Sequence, residues 1–172
     1  QDGAVFVYGS PITPVRGDSV FVAGVVTEYG VGPETEITPV REVTILASGR
    51  PAITPVAATL ADAASSELYE SMLIKISNVI NLWQGGPGDP FDISTALSGT
   101  DTLRVDDYAI EEAGYTPWRG DNLDVIGIIR YSGTAPLRRL QPRNWSEPAT
   151  GDIHVISKAA VSGTVPEPFR TQ

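Results

Sequence analysis

A repeated segment constrains this chain more than any other feature of its sequence. Gly17-Asp18-Ser19-Val20-Phe21-Val22-Ala23-Gly24-Val25-Val26 reads against Gly120-Asp121-Asn122-Leu123-Asp124-Val125-Ile126-Gly127-Ile128-Ile129 at an offset of 103 (120 − 17). The same offset, without a gap, carries Ile37-Thr38-Pro39 onto Leu140-Gln141-Pro142. A second echo joins Ile76-Ser77-Asn78 to Ile156-Ser157-Lys158 at an offset of 80 (156 − 76). Each is followed by a Gly/Pro turn and a Pro-Phe pair, Pro90-Phe91 and Pro168-Phe169. Repeats set the architecture before any local reading does. The middle and later parts therefore read as one whole unit. The N-terminal part reads as the back half of a second unit, and the C-terminal tail as the front half of one. Such a chain is expected to complete itself, or a neighbour, through its ends.

The local texture is all-β. Short β-branched or alternating runs fall at residues 5–8, 20–27, 35–46, 72–82, 103–105, 123–131, 137–140 and 153–161, with Gly/Pro clusters between them. Many short strands with punctuating turns indicate a barrel or sandwich. In the run at 72–82, Ile74, Ile76, Asn78 and Ile80 share one face by alternation, and Ile74, Ile76, Val105, Val125 and Ile128 are the expected core. The best helix signal is 59–71, where Thr59 and Asp62 resemble a capping box ahead of an Ala-rich stretch. A single helical turn is expected at 109–114. Residues 71–147 thus read as strand, strand, strand, short helix, strand, strand, the order of a five-stranded OB-fold barrel. In the first unit the runs at 5–8, 20–27 and 35–46 take the places of strands three, four and five. The expected division is a partial OB-like unit at 1–51, a linker with a short helix at 52–70, a complete barrel at 71–147, and a linker with a strand-donor segment at 148–172.

Composition narrows the function. A net charge of −9 counts against non-specific binding to phosphate backbones. No apolar run approaches the roughly 18 residues of a membrane span. Cysteine is absent, which excludes disulfides and thiolate metal sites. Hydrophobic residues make up 41% of the chain, enough to build a core in a domain of this size.

The segment from Gly17 through Tyr29 and on to Ile37, the stretch Gln1-Asp2-Gly3 before Val5-Phe6-Val7-Tyr8, and Arg104-Val105-Asp106-Asp107-Tyr108 resemble the OB-fold-like accessory domain of large secreted bacterial nucleases. The resemblance covers most of residues 1–147 and consists of strand and turn patterns. It implies an extracellular β-barrel module of the kind that accompanies a metal-dependent phosphodiesterase domain. No such catalytic domain is present in this sequence. In that family a first strand precedes the Gln-Asp-Gly stretch. Joining the tail of one copy to the head of another gives a segment similar to one continuous family domain.

Catalytic chemistry has little footing in the residues. His154 is the sole histidine, so neither a triad nor a multi-histidine metal site can be built within one chain. Asp101, Asp106, Asp107, Glu111 and Glu112 could offer oxygen ligands to a hard cation, but no EF-hand spacing appears, and a solvated acidic loop is the plainer reading. No catalytic, cofactor or metal site is assigned. Arg104, Arg130, Arg138 and Arg139 lie close in sequence to Tyr131 and other aromatics, as a single-stranded nucleic-acid face requires; ion pairing with acidic neighbours is the bland alternative. The expected function is a secreted, non-enzymatic subunit that polymerises head to tail by strand complementation, its partner being a second copy. Ile153, Val155, Ala159 and Val161 are the expected donor residues, and Val5, Phe6, Val7, Val20 and Val22 the acceptors. A tail closing its own first barrel is the monomeric variant of the same idea, and a nucleic-acid-binding nuclease module is the rival.

Overall fold

The computed structural model describes residues 3–29, 34–86, 88–106, 115–131, 138–143 and 152–159. These residues form two sheets. The first has three strands in the order β1 (Phe6–Val7), β3 (Glu34–Ala47), β2 (Ser19–Tyr29); β1 runs parallel to β3, and β2 antiparallel. The second holds β4 (Val56–Ala57), β5 (Leu73–Asn81), β6 (Phe91–Ser94), β7 (Leu103–Val105), β8 (Asn122–Tyr131), β9 (Arg138–Gln141) and β10 (Ile153–Ser157). Within it β5, β6, β7, β9 and β8 pair in succession, and β8 pairs back onto β5, so these five strands close a barrel. Closure removes the exposed edges that an open sheet leaves.

The barrel core follows the alternation of its strands. Ile74, Ile76 and Val79 of β5, Phe91 and Ile93 of β6, Leu103 and Val105 of β7, Leu123, Val125 and Ile129 of β8, and Leu140 of β9 are buried. Helix α1 (Leu60–Ser65) closes on this core through Leu60 and Ala63. Thr59 caps it as its spacing with Asp62 predicts: the Asp62 N–H donates to Thr59 Oγ1 at 3.1 Å, and the Thr59 hydroxyl donates back to Asp62 Oδ2 at 2.7 Å. The helix is shorter than the expected 59–71, and a single 3₁₀ turn at Glu67–Tyr69 follows it. The helical turn expected at 109–114 lies outside the described residues.

Two expectations about the core change. Alternation in β5 shifts phase between Ile76 and Val79, where the register with β8 slips and Asn78 takes a φ of 56°. Val79 and Asn81 therefore turn inward in place of Asn78 and Ile80. In β8, Ile129 is the core residue and Ile128 faces the other way, because the inward series runs Leu123, Val125, Gly127, Ile129.

The repeat reappears in the pairing. In the first sheet Val7 sits opposite Ile37, Val26 opposite Ile37, Val22 opposite Val43 and Val20 opposite Ile45. In the second, Val105 sits opposite Leu140, Ile129 opposite Leu140, Val125 opposite Ile153 and Leu123 opposite Val155. The three strands of the first sheet thus match β7, β8 and the combined β9 and β10. Both copies slip register at the same place, between Ser19 and Val20 and between Val155 and Ser157. The offset is 103 through β8 and β9 and becomes 110 (153 − 43) in β10, because seven further residues (110 − 103) separate β9 from β10.

That match revises the reading of the tail. Ile153 and Val155 were expected to complete the first unit; they pair instead with β8 of the barrel. Ile153-His154-Val155-Ile156-Ser157 is the counterpart of Val43-Thr44-Ile45-Leu46-Ala47, the second half of a fifth strand, and not of the first strand at Ile76.

Candidate functional site

The first sheet pairs in the order in which β7, β9 and β8 pair in the barrel, and among the described residues no counterpart of β5 or β6 lies over it. Its residues Val5, Val7, Val20, Val22, Val26, Ile37, Val43 and Ile45 share one face and occupy the places of Leu103, Val105, Leu123, Val125, Ile129, Leu140, Ile153 and Val155. In the barrel those places are core: Leu103 is 2% exposed, Leu123 and Ile129 0%. In the first sheet Val5 is 42% exposed, Val20 36% and Val26 66%. The difference lies in what covers them. Strands β5 and β6 bring Ile74, Ile76, Val79, Phe91 and Ile93 over the barrel face. Among the described residues, β2 pairs with β3 alone and β1 with β3 alone. Along its 11 residues, the outer edge of β2 has no strand partner among the described residues.

Four of the expected acceptor residues, Val5, Val7, Val20 and Val22, lie on this open face. Phe6 points the other way, beneath Arg130, whose guanidinium carbon lies 3.6 Å from the ring centroid. Phe6 belongs instead to the contact between the two sheets. There Arg130 also pairs with Glu34, with Nη2 at 3.0 Å from Oε2, and the Thr35 N–H donates to Glu70. Burial raises the Glu70 carboxyl above its ordinary value, against the lowering effect of that hydrogen bond.

Of the expected donors, Ile153 and Val155 are in β10. Ala159 lies against the rim of the barrel, where its N–H donates to Asp121 Oδ1 at 3.0 Å. Val161 lies outside the described residues. Asp121 is fully buried and also accepts from the Tyr115 hydroxyl at 3.0 Å and Lys158 Nζ at 3.1 Å. Asn81, equally buried, donates to Tyr115 and to the Trp118 carbonyl at 3.2 and 3.1 Å. This network holds the chain after β10 onto the barrel. Sequence reasoning did not find it, although Gly120-Asp121 repeats Gly17-Asp18.

The arginines proposed as a nucleic-acid face are engaged elsewhere. Arg104 makes a two-pronged contact with Asp92, at 2.6 and 3.1 Å. Arg139 pairs with Asp106, one of the acidic group suggested for a cation, and Arg130 with Glu34. Arg138 donates to the Tyr131 hydroxyl at 2.7 Å and to the Ser66 carbonyl, and lies over the Tyr131 ring. These guanidinium groups are bound in carboxylate or ring contacts, whereas a phosphate-binding groove needs them facing outward. Asp107, Glu111 and Glu112 lie outside the described residues. His154 sits in β10 opposite Asp124 in the ladder. No helix among the described residues is long and apolar enough to cross a membrane.

The fold is mostly β, with one closed five-stranded barrel and one three-stranded sheet whose pairing repeats that of β7, β9 and β8. Compared with protein-family models, curated proteins and solved structures, the chain matches none.

Proposed function

We propose that this chain is a non-enzymatic, extracellular structural subunit whose open first sheet is an OB-type half-barrel, completed by strand from a neighbouring copy. One observation carries the reading: of the eight matched apolar positions, seven are buried in the barrel, whereas in the first sheet Val5, Val20, Val26 and Ile45 are exposed and Val7, Val22, Ile37 and Val43 half-buried. An exposed, long, aliphatic strand edge recruits another strand, through main-chain hydrogen bonds and side chains set into alternate pockets. The strand order β5-β6-β7-β9-β8 supports the OB-type description of both units. The likeness of residues 1–147 to accessory domains of secreted nucleases supports an extracellular setting.

With β10 committed to the barrel, the donor is the chain beyond Ala159. Thirteen residues follow Ala159 (172 − 159), and Val161 and Val165 fall on one face of an extended strand. Extended, they span about 43 Å, against about 36 Å for the 11-residue edge of β2. A tail docked into the next copy is a heterologous contact, which propagates into a filament or closes into a ring. Sedimentation velocity of the full chain and of a chain ending at Ala159 tests this. A concentration-dependent ladder of oligomers in the first and a monomer in the second is the expected result. Equal sedimentation of the two refutes tail-mediated assembly.

A further inference from the structure

Resting on that reading, we infer that the incoming strand runs antiparallel along β2, in the register that β5 keeps with β8, and that the site selects an alternating aliphatic strand of the β5 pattern. The barrel supplies the template. Ile74 sits opposite Gly127, Ile76 opposite Val125 and Val79 opposite Leu123. Carried across the repeat, these partners are Gly24, Val22 and Val20. The three β5 side chains are buried in the barrel, at 0%, 1% and 1% exposure, so a strand in that register on the first sheet sets three aliphatic groups over the same face.

The choice of β2 over β1 follows from length and shape. β1 offers two residues of edge and β2 offers 11. β2 lies tight against β3 at Gly24, as β8 does against β9 at Gly127. A methyl at Gly24 would fall 2.4 Å from Ile37 Cγ2 and 2.9 Å from the Pro39 carbonyl oxygen; at Gly127 it would fall 2.8 Å from the Gln141 backbone. Both glycines let the long strand bend over its partner at the place where a first strand crosses it. The outer face differs between the copies. Lys75 of β5 pairs with Asp124 at 2.6 Å, whereas the counterpart of Asp124 is Phe21, 48% exposed. The incoming strand therefore carries an uncharged residue where β5 has Lys75.

The test uses the full chain at dilution and a peptide of residues 72–83 with Lys75 replaced by Thr. The chain has no cysteine, so a pair of introduced thiols reports register directly. Residues directly opposite in an antiparallel pair have Cα atoms about 4.5–5.5 Å apart, within disulfide reach. The Val22→Cys chain is expected to cross-link the peptide bearing Ile76→Cys at least tenfold faster than the peptide bearing Ser77→Cys, which points to the other face. An Ile76→Asp peptide is expected to bind at least tenfold more weakly. Equal cross-linking of the two cysteine peptides overturns the register. Preferential capture by a Val125→Cys chain also overturns it, because the peptide then exchanges into the closed barrel. Absence of saturable binding overturns the selectivity; complementation itself still stands if removal of residues 160–172 abolishes assembly, and falls as well if it does not.

Discussion

Asp18 and Asp121 hold the same place in the repeat and are held very differently. Each follows a glycine in the left-handed region, Gly17 at φ 96° and Gly120 at φ 93°, and each N–H closes a turn onto the residue three back, at 3.0 and 3.1 Å. Asp121 is buried under Tyr115, Lys158 and the Ala159 N–H. Asp18 is only half-buried, and hydrogen bonds from the Ser48 side chain and the Val15 N–H lower its carboxyl from the ordinary value. Asp121→Ala leaves a buried hydroxyl and a part-buried N–H without their acceptor and is expected to cost about 2–4 kcal/mol in denaturant unfolding of the barrel. Asp18→Ala is expected to cost clearly less. Equal effects would mean that the buried network does not hold β10. Asp124 adds a pH dependence. Burial opposes its ionisation, but Lys75 at 2.6 Å and the Asn78 N–H at 3.1 Å outweigh that and hold it below 3.8. Its stabilisation is complete above the unfolded carboxylate value and fades as pH falls through the lower folded value. Asp124→Asn is therefore expected to flatten the acid limb of stability below about pH 4, as read from melting temperatures across that range.

At the scale of elements, β10 decides how the tail is understood. It covers β8 where β9 has ended, pairing Ile153 with Val125 and Val155 with Leu123. A chain ending at Gly151 is expected to lose a large part of barrel stability, since Ile153 is buried and burying one such side chain is worth roughly 1.5–3 kcal/mol. A chain ending at Ala159 is expected to melt as the full barrel does. Thermal unfolding of the two separates a strand of the barrel from a dispensable arm. The barrel was legible in the sequence because its strands alternate and its turns are marked by Gly and Pro. The matching strand pairing of the first sheet was legible because residues 17–26 and 37–39 repeat without a gap. Other features were hidden for physical reasons. The bulge at Asn78 reverses the phase of β5 through one backbone angle that alternation does not encode. In β8 the inward place held by Gly127 has no side chain to mark it, so Ile128 looked as apolar as Ile129. The seven extra residues before β10 broke the offset, so Ile153–Ser157 was compared with strand one when its partner was the end of strand five. The arginine cluster looked like a binding face because sequence shows the charges and not the carboxylates of Asp92, Asp106 and Glu34 that fold against them.

The whole molecule joins one closed barrel to a three-stranded sheet whose pairing repeats that of β7, β9 and β8, and the two meet where Arg130 reaches Glu34 and Phe6. The barrel has, along the matching edge of β8, the strand β5 and its aliphatic groups, which among the described residues nothing supplies along the outer edge of β2 and over Val20, Val22 and Val26. If a neighbour supplies them, the β2 amides that point away from β3 are bonded in the assembly and open to water in the separated chain. Amide hydrogen exchange, followed through β2 across a dilution series, reads this directly. We expect the outward amides between Val20 and Val26 to be as slow as those of β8 at high concentration, and to speed up at least a hundredfold as oligomers dissociate. Protection of β2 that stays unchanged across the series, whether uniformly fast or uniformly slow, would contradict completion of the first sheet by another copy.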